Sequence, residues 1–195
     1  MQLVLCIGWL ESREGPFLGL REMVQTRVLP KYPGTQVQFH SYADDVPGAL
    51  MRTAQAMAAG GKKEPLILLG HSYGASALFR AAHKMPGVVI DHLIMLDPVP
   101  RWLWGQFQWW CYKLPANVKA ATCIYNPWSL PKSSPIRGGI RQFRNIKVTP
   151  LHASIPGNAE VQGHILEIIH AAHQAAVQPA APIAVPARPV VRKGL

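Results

Sequence analysis

Short apolar runs alternate along this chain with segments whose apolar positions recur at helical spacing. Residues 2–7 (Gln-Leu-Val-Leu-Cys-Ile) are almost unbroken by polar groups, which predicts a strand covered on both faces. Residues 16–28 set Phe17, Leu20, Val24 and Val28 on one helical face. Residues 35–40 alternate and predict a second strand. Residues 46–59, rich in alanine and methionine and stopped by Gly60-Gly61, predict a second helix. Residues 66–69 predict the third strand and 75–83 the helix after it. Further strands are predicted over 92–96, 118–125 and 146–148. A closing helix over 158–177 carries Val161, Ile165, Ile168 and Ala172 as its apolar stripe. Such alternation predicts an α/β fold: a doubly wound, mostly parallel sheet of about six strands with helices on both faces. Right-handed crossovers and a first strand near the centre predict the strand order 2-1-3-4-5-6.

Chemistry concentrates at the end of the third strand. Leu66-Ile67-Leu68-Leu69 runs into Gly70-His71-Ser72-Tyr73-Gly74 and then into a helix-forming segment. A serine hydroxyl is a poor nucleophile unless it is held out of the fold and given a base. A sharp strand-to-helix turn does the first by forcing the serine into a strained, protruding position. Glycines on either side leave room for the turn and the neighbouring strand. The same turn puts the Tyr73 N–H at a helix N-terminus, where it can donate to a developing oxyanion. An idle serine in a glycine-rich turn is the alternative.

A nucleophile of this kind needs a histidine base and an acid that orients it, following in the chain order serine, acid, histidine. Between Ser72 and the histidines of the last segment stand two carboxylates, Asp91 and Asp97. Asp97 ends the run Leu93-Ile94-Met95-Leu96, just past the C-terminal end of a buried strand, where open parallel sheets build their sites. Asp91 precedes that strand and reads as a solvated turn carboxylate. Of the eight histidines, His40 and His71 precede the serine, and His71 is the X of Gly-X-Ser. His83 and His92 lie toward the opposite rim. His152, between the last strand and the last helix, is the expected base. His164, inside that helix, is second choice, with His170 and His173 on its solvated faces.

These residues carry a resemblance. Gly70-His71-Ser72-Tyr73-Gly74, Leu96-Asp97-Pro98-Val99 and His152 with Ile155-Pro156 resemble the α/β-hydrolase superfamily, in particular compact lipase- or esterase-like serine hydrolases of the small bacterial or phage kind. Val4-Leu5-Cys6-Ile7-Gly8-Trp9 also resembles the superfamily's first strand and oxyanion loop, with isoleucine where a histidine is common. The resemblance spans about residues 3–175. It implies a second oxyanion donor from the Trp9 amide, or that of Leu10, and a substrate pocket near Leu10. A superfamily with so many reactions leaves the substrate open.

Composition narrows the rest. A chain of 195 residues can bury one core and is short for two enzyme domains. Residues 1–177 are expected to be the catalytic domain. Within it, residues 101–115 hold Trp102, Trp104, Phe107, Trp109, Trp110 and Tyr112. This cluster packs on the body or caps the site, with Trp102, Trp109 and Trp110 as pocket-wall candidates. Residues 178–195, with four prolines among alanines and valines and a basic end, are expected to be an extended, disordered tail.

The net charge of +10 hints at an anionic surface, met weakly through the basic tail. The chain carries neither a nucleic-acid fold motif nor a phosphate loop, so a small-molecule or lipid ester is the expected partner and specific nucleic acid is not. Cys6, Cys111 and Cys123 lack metal-ligand spacing, and no metal or other cofactor is expected. Without a basic, leader-like N-terminus the simplest location is the cytoplasm. Hydrolysis of carboxylic esters or thioesters is the expected activity, with acyl transfer to another acceptor as a variant. A protein that keeps the fold and an idle triad, binding partners through its aromatic segment and basic tail, is the alternative class. Acyl preference, leaving group and oligomeric state are not legible.

Overall fold

The computed structural model describes residues 1–8, 18–61, 64–99, 113–129, 133, 135–136 and 142–177. The elements run β1 (Gln2–Ile7), α1 (Leu18–Met23) continued by a π-helical turn (Val24–Val28), β2 (Gln36–Ser41), α2 (Val46–Ala59), β3 (Leu66–His71), α3 (Tyr73–Lys84), β4 (Ile90–Leu96), β5 (Val118–Tyr125), β6 (Gln142–Lys147) and α4 (Ala159–Val177), with a 3-10 stretch (His152–Gly157) before α4. The six strands form one sheet in the order β2-β1-β3-β4-β5-β6. Every neighbouring pair is parallel.

Local chemistry accounts for the element ends. Asp45 caps α2 by accepting the Gly48 N–H at 3.0 Å, and Pro47 lies in the first turn, where its missing N–H does no harm. β1 and β3 are buried along their whole length, as strands covered on both faces must be. Alternation then splits their side chains between two cores. Val4, Cys6, Leu66, Leu68, Leu93, Met95 and Cys123 pack with α2 and α3. Leu3, Leu5, Ile67, Leu69, Ile94, Leu96 and Ile124 pack with α1, the π-helical turn and α4. Cys6 and Cys123 are packing residues, fully buried as thiols. Burial, the largest influence, pushes the Cys6 thiol up to about 12 and that of Cys123 higher still.

Some expectations shift. β6 begins and ends earlier than the apolar triplet 146–148 suggests. It is the edge strand, its outer residues are exposed, and backbone pairing with β5 sets its length. On α4 the fully buried residues are Val161, Ile165 and Ile169, while Ile168 and Ala172 pack at the margin, because the helix turns about 100° per residue and position 169 continues the i, i+4 row. Asp91 is not a turn residue. It lies inside β4, accepts the Leu66 N–H at 2.9 Å and pairs with Lys119 at 2.6 Å, so it ties three strands together at their N-terminal ends. Among the described residues no helix is long and apolar enough to cross a membrane.

Candidate active site

Three strand ends converge at the C-terminal rim of the sheet. β3 leaves the sheet through Ser72, whose backbone is forced to φ 56° and ψ −128° before α3 begins at Tyr73. A side chain at positive φ is strained, and here the strain lifts the hydroxyl off the sheet edge. The turn is locked by close approach. A Cβ on Gly70 would come to 2.5 Å from the Cα of Ala75, and one on Gly74 would strike the Cys6 carbonyl. The Ser72 N–H donates to the Leu96 carbonyl at 2.9 Å, and the Val99 N–H donates to the Ser72 carbonyl at 3.3 Å. The Ser76 hydroxyl, one turn into α3, donates to the Val99 carbonyl at 2.7 Å. The segment beyond β4 is therefore sewn to the elbow.

β4 ends at Leu96, and Asp97 stands just past it at φ 40°. Its carboxylate is fully buried. One oxygen accepts the Asn126 N–H at 2.9 Å. The other accepts the Ser129 hydroxyl at 2.7 Å and the His152 Nδ1–H at 2.6 Å. Burial by itself would raise this carboxyl. Hydrogen bonds from His152, the Ser133 and Ser129 hydroxyls and the Asn126 amide outweigh it and hold Asp97 below the usual carboxylate range. An ionised carboxylate only accepts, so the imidazole proton sits on Nδ1 and Nε2 is left as an acceptor. The Ser72 hydroxyl donates to that Nε2 at 2.9 Å.

His152 opens the 3-10 stretch rather than lying in an irregular loop. The segment before it is held by Asn126, whose side-chain amide donates to the carbonyls of Thr149 at 3.2 Å and Pro150 at 3.0 Å. The Asn126 side-chain oxygen accepts the Trp128 N–H at 2.8 Å. One buried asparagine thus touches Asp97 through its main chain and the segment before His152 through its side chain. Sequence reasoning did not single out Asn126, Ser129 or Ser133; a polar cluster directly after the fifth apolar run was the available signal. His71 was passed over as well. It is completely buried, its Nε2–H donates to the His152 carbonyl at 3.0 Å, and its ring lies 4.7 Å from that of His152.

The remaining candidates divide clearly. Gly8 follows β1 directly beneath the elbow: a Cβ there would lie 2.7 Å from Ser72 Cβ, 2.9 Å from Ser72 Oγ and 3.2 Å from the Tyr73 nitrogen. Glycine thus keeps the space beside the hydroxyl and the Tyr73 N–H open. The Tyr73 ring turns away and packs against Tyr42, 5.9 Å between centroids. Trp9, Leu10, Trp102, Trp109 and Trp110 lie outside the described residues, as do most of the aromatic segment and the tail. His164 faces Glu167 on α4, 3.6 Å apart, and not the serine. His170 is not simply solvated, since its Nδ1 and the Tyr32 hydroxyl share a hydrogen bond of 2.7 Å. Among the described residues no group of three or more His, Cys, Asp or Glu side chains is arranged to hold a metal ion.

At the sequence level no protein-family model matches the chain, and no curated protein does. The fold has clear counterparts among solved structures. A candidate hydrolase of the alpha/beta superfamily from Xanthomonas campestris pv. campestris matches with a TM-score of 0.57 at 16% identity, over 87% of this chain and 98% of its own. Human thioesterase 2 matches with a TM-score of 0.53 at 12% identity, over 92% of this chain and 99% of its own. The esterase domain of a Rhodothermus marinus protein gives 0.53 at 12% identity, over 87% and 84%. The parallel six-stranded sheet, the helices on both its faces and these likenesses together show that this chain has the α/β-hydrolase fold.

Proposed function

We propose that the protein is a serine hydrolase that cleaves carboxylic esters or thioesters through an acyl-enzyme. The observation that carries this reading is the continuous chain Ser72 Oγ, His152 and Asp97, with contacts of 2.9 and 2.6 Å, at a strained strand-to-helix turn. Ser72 Oγ attacks the acyl carbon while His152 Nε2 takes its proton. Asp97 holds the Nδ1 tautomer and stabilises the imidazolium. The Tyr73 amide, with that of Trp9 or Leu10, receives the oxyanion. His152 then protonates the leaving alcohol or thiol, and the acyl group stays on Ser72. A water molecule deprotonated by His152 attacks the acyl-enzyme, and the acid leaves as the serine proton returns. The reaction needs no redox partner.

The substrate is proposed to be a small-molecule or lipid ester, with residues 101–115 walling the acyl pocket. The test is labelling by a fluorophosphonate combined with p-nitrophenyl esters of graded acyl length. Ser72→Ala is expected to abolish both labelling and turnover, a loss of roughly four orders of magnitude or more, while the protein stays folded. Unchanged turnover in folded Ser72→Ala protein overturns the reading and leaves the binding-protein alternative standing. In the same panel, replacing Trp109 and Trp110 by alanine is expected to weaken long acyl chains more than acetate, since each buried methylene contributes about 0.8 kcal/mol. An equal loss at every length removes the pair from the pocket.

A further inference from the structure

Strand alternation gives the residue before the nucleophile a particular neighbour. On β3, Leu66 and Leu68 face α2 and α3, while Ile67 and Leu69 face α1 and α4. Gly70 continues the first row, with α3 at its Cα. His71 continues the second, so it points to the layer where the 3-10 stretch and α4 pack. There it meets the base. Its Nε2–H donates to the main-chain carbonyl of His152 at 3.0 Å. The two rings lie 4.7 Å apart with their planes tilted by 32°.

We propose that His71 is a positioning residue, whose imidazole ties the backbone of His152 to the strand that ends in the nucleophile and backs the face of the His152 ring. This rests on the acyl-enzyme reading of Ser72, His152 and Asp97. The bonds from Ser72 and Asp97 hold the two ring nitrogens of His152, but neither holds the main chain that carries the ring. Asn126 restrains the carbonyls of Thr149 and Pro150, and His71 supplies the restraint at residue 152 itself. The contact spans 81 positions of sequence, so it joins two segments that no local structure would bring together.

Charge fits the same role. His152 becomes a cation each time Ser72 attacks, and a second cation against its face would oppose that step. Burial first, and the nearby His152 second, push the His71 imidazole down to about 3, so it stays neutral in ordinary buffers. A lysine or arginine could make the same hydrogen bond only by bringing a charge.

The test compares His71→Gln, His71→Asn and His71→Phe with the parent protein, reading the rate of Ser72 modification by a fluorophosphonate and the separate kcat and KM for p-nitrophenyl butyrate. The Gln side-chain nitrogen reaches the place of the imidazole Nε2, that of Asn falls short at the place of Nδ1, and Phe keeps a ring without a donor. Gln is expected to stay within about threefold of the parent. Asn and Phe are expected to lose roughly ten- to a hundredfold in modification rate and kcat, the scale of a sub-ångström to ångström misplacement, with KM within about twofold. If the Phe protein fails to fold, the Gln and Asn pair decides. Parent-like rates in the Asn protein overturn the proposal and leave the acyl-enzyme reading intact. So does equal loss in all three variants, which reduces His71 to packing. A parent protein that the probe modifies no faster than Ser72→Ala overturns the acyl-enzyme reading, and this proposal with it.

Discussion

β4 carries an aspartate near each of its ends, and the two live in different surroundings. Asp97, at the C-terminal rim, is fully buried and held at positive φ. It accepts the Asn126 amide, the Ser129 hydroxyl and the His152 imidazole. Asp91, at the N-terminal end, keeps a side chain 25% exposed, and its partners are Lys119 and the Leu66 N–H. The same functional group is therefore a focused charge at one end and a strand tie at the other. Parallel strands explain the asymmetry. All six C-terminal ends point the same way, so turns into helices, with their N–H donors and strained residues, gather at one rim. The other rim receives only chain entries, and a carboxylate there serves the sheet.

Exchanging each acid for its amide separates the two roles most widely. Asp97→Asn is expected to lower kcat/KM roughly ten-thousandfold, because an amide in that place favours the wrong imidazole tautomer. Asp91→Asn is expected to leave kcat/KM within about twofold and to lower stability by about 1 kcal/mol at most, the scale of an ion pair open to solvent on its lysine side. Ester kinetics and denaturant titration read the two effects. Similar kinetic losses would erase the distinction between the rims.

A smaller effect is expected at Asn126, which touches Asp97 through its N–H and the segment before His152 through its side chain. Asn126→Ala is expected to lower kcat about tenfold and stability by about 1–3 kcal/mol, since the Thr149 and Pro150 carbonyls lose their donor. Asn126→Asp should be worse on both counts, because it aims a carboxylate at two carbonyl oxygens. An Asp variant equal to the Ala variant would mean that those contacts carry no weight.

The effect least tied to the reaction is on acid stability, to which each rim contributes a histidine shielded from water. Burial pushes His71 down to about 3 and His92, near the start of β4, to about 4. Unfolded, both return to an ordinary value near 6.5. Below that value the unfolded chain binds protons that the folded chain refuses, so stability falls as pH falls. The loss approaches about 1.4 kcal/mol per pH unit for each histidine between roughly pH 6 and 4. Above about pH 7 neither contributes a slope. His92→Gln should flatten the acid limb of stability against pH without changing the ester kinetics at pH 8. An unchanged limb would show that His92 gains no proton on unfolding, its imidazole taking one as readily in the folded chain.

How much of this was legible in the sequence follows from the range of each interaction. β1 and β3 are almost unbroken apolar runs because both faces are covered, and β4 and β5 end in apolar runs, so their number and order could be read directly. Ser72 announces itself through a local cause, the two glycines that its turn demands. Asp97 and His152 were singled out by chain order and by the scarcity of carboxylates, and the fold brings both within hydrogen-bond reach of one another. Edge strand β6 was shifted because backbone pairing, not apolar content, sets its ends. Ile169 was missed because one helical step decides which face is inward. The structure alone revealed Asn126, Ser129 and His71 at the site. Each is an ordinary polar residue in sequence, with partners 23 to 81 positions away. Sequence patterning determined which segments become strands and helices, because periodic burial is a local property. Only the assembled sheet decided which polar side chains meet at its rim, because that depends on which strands end side by side.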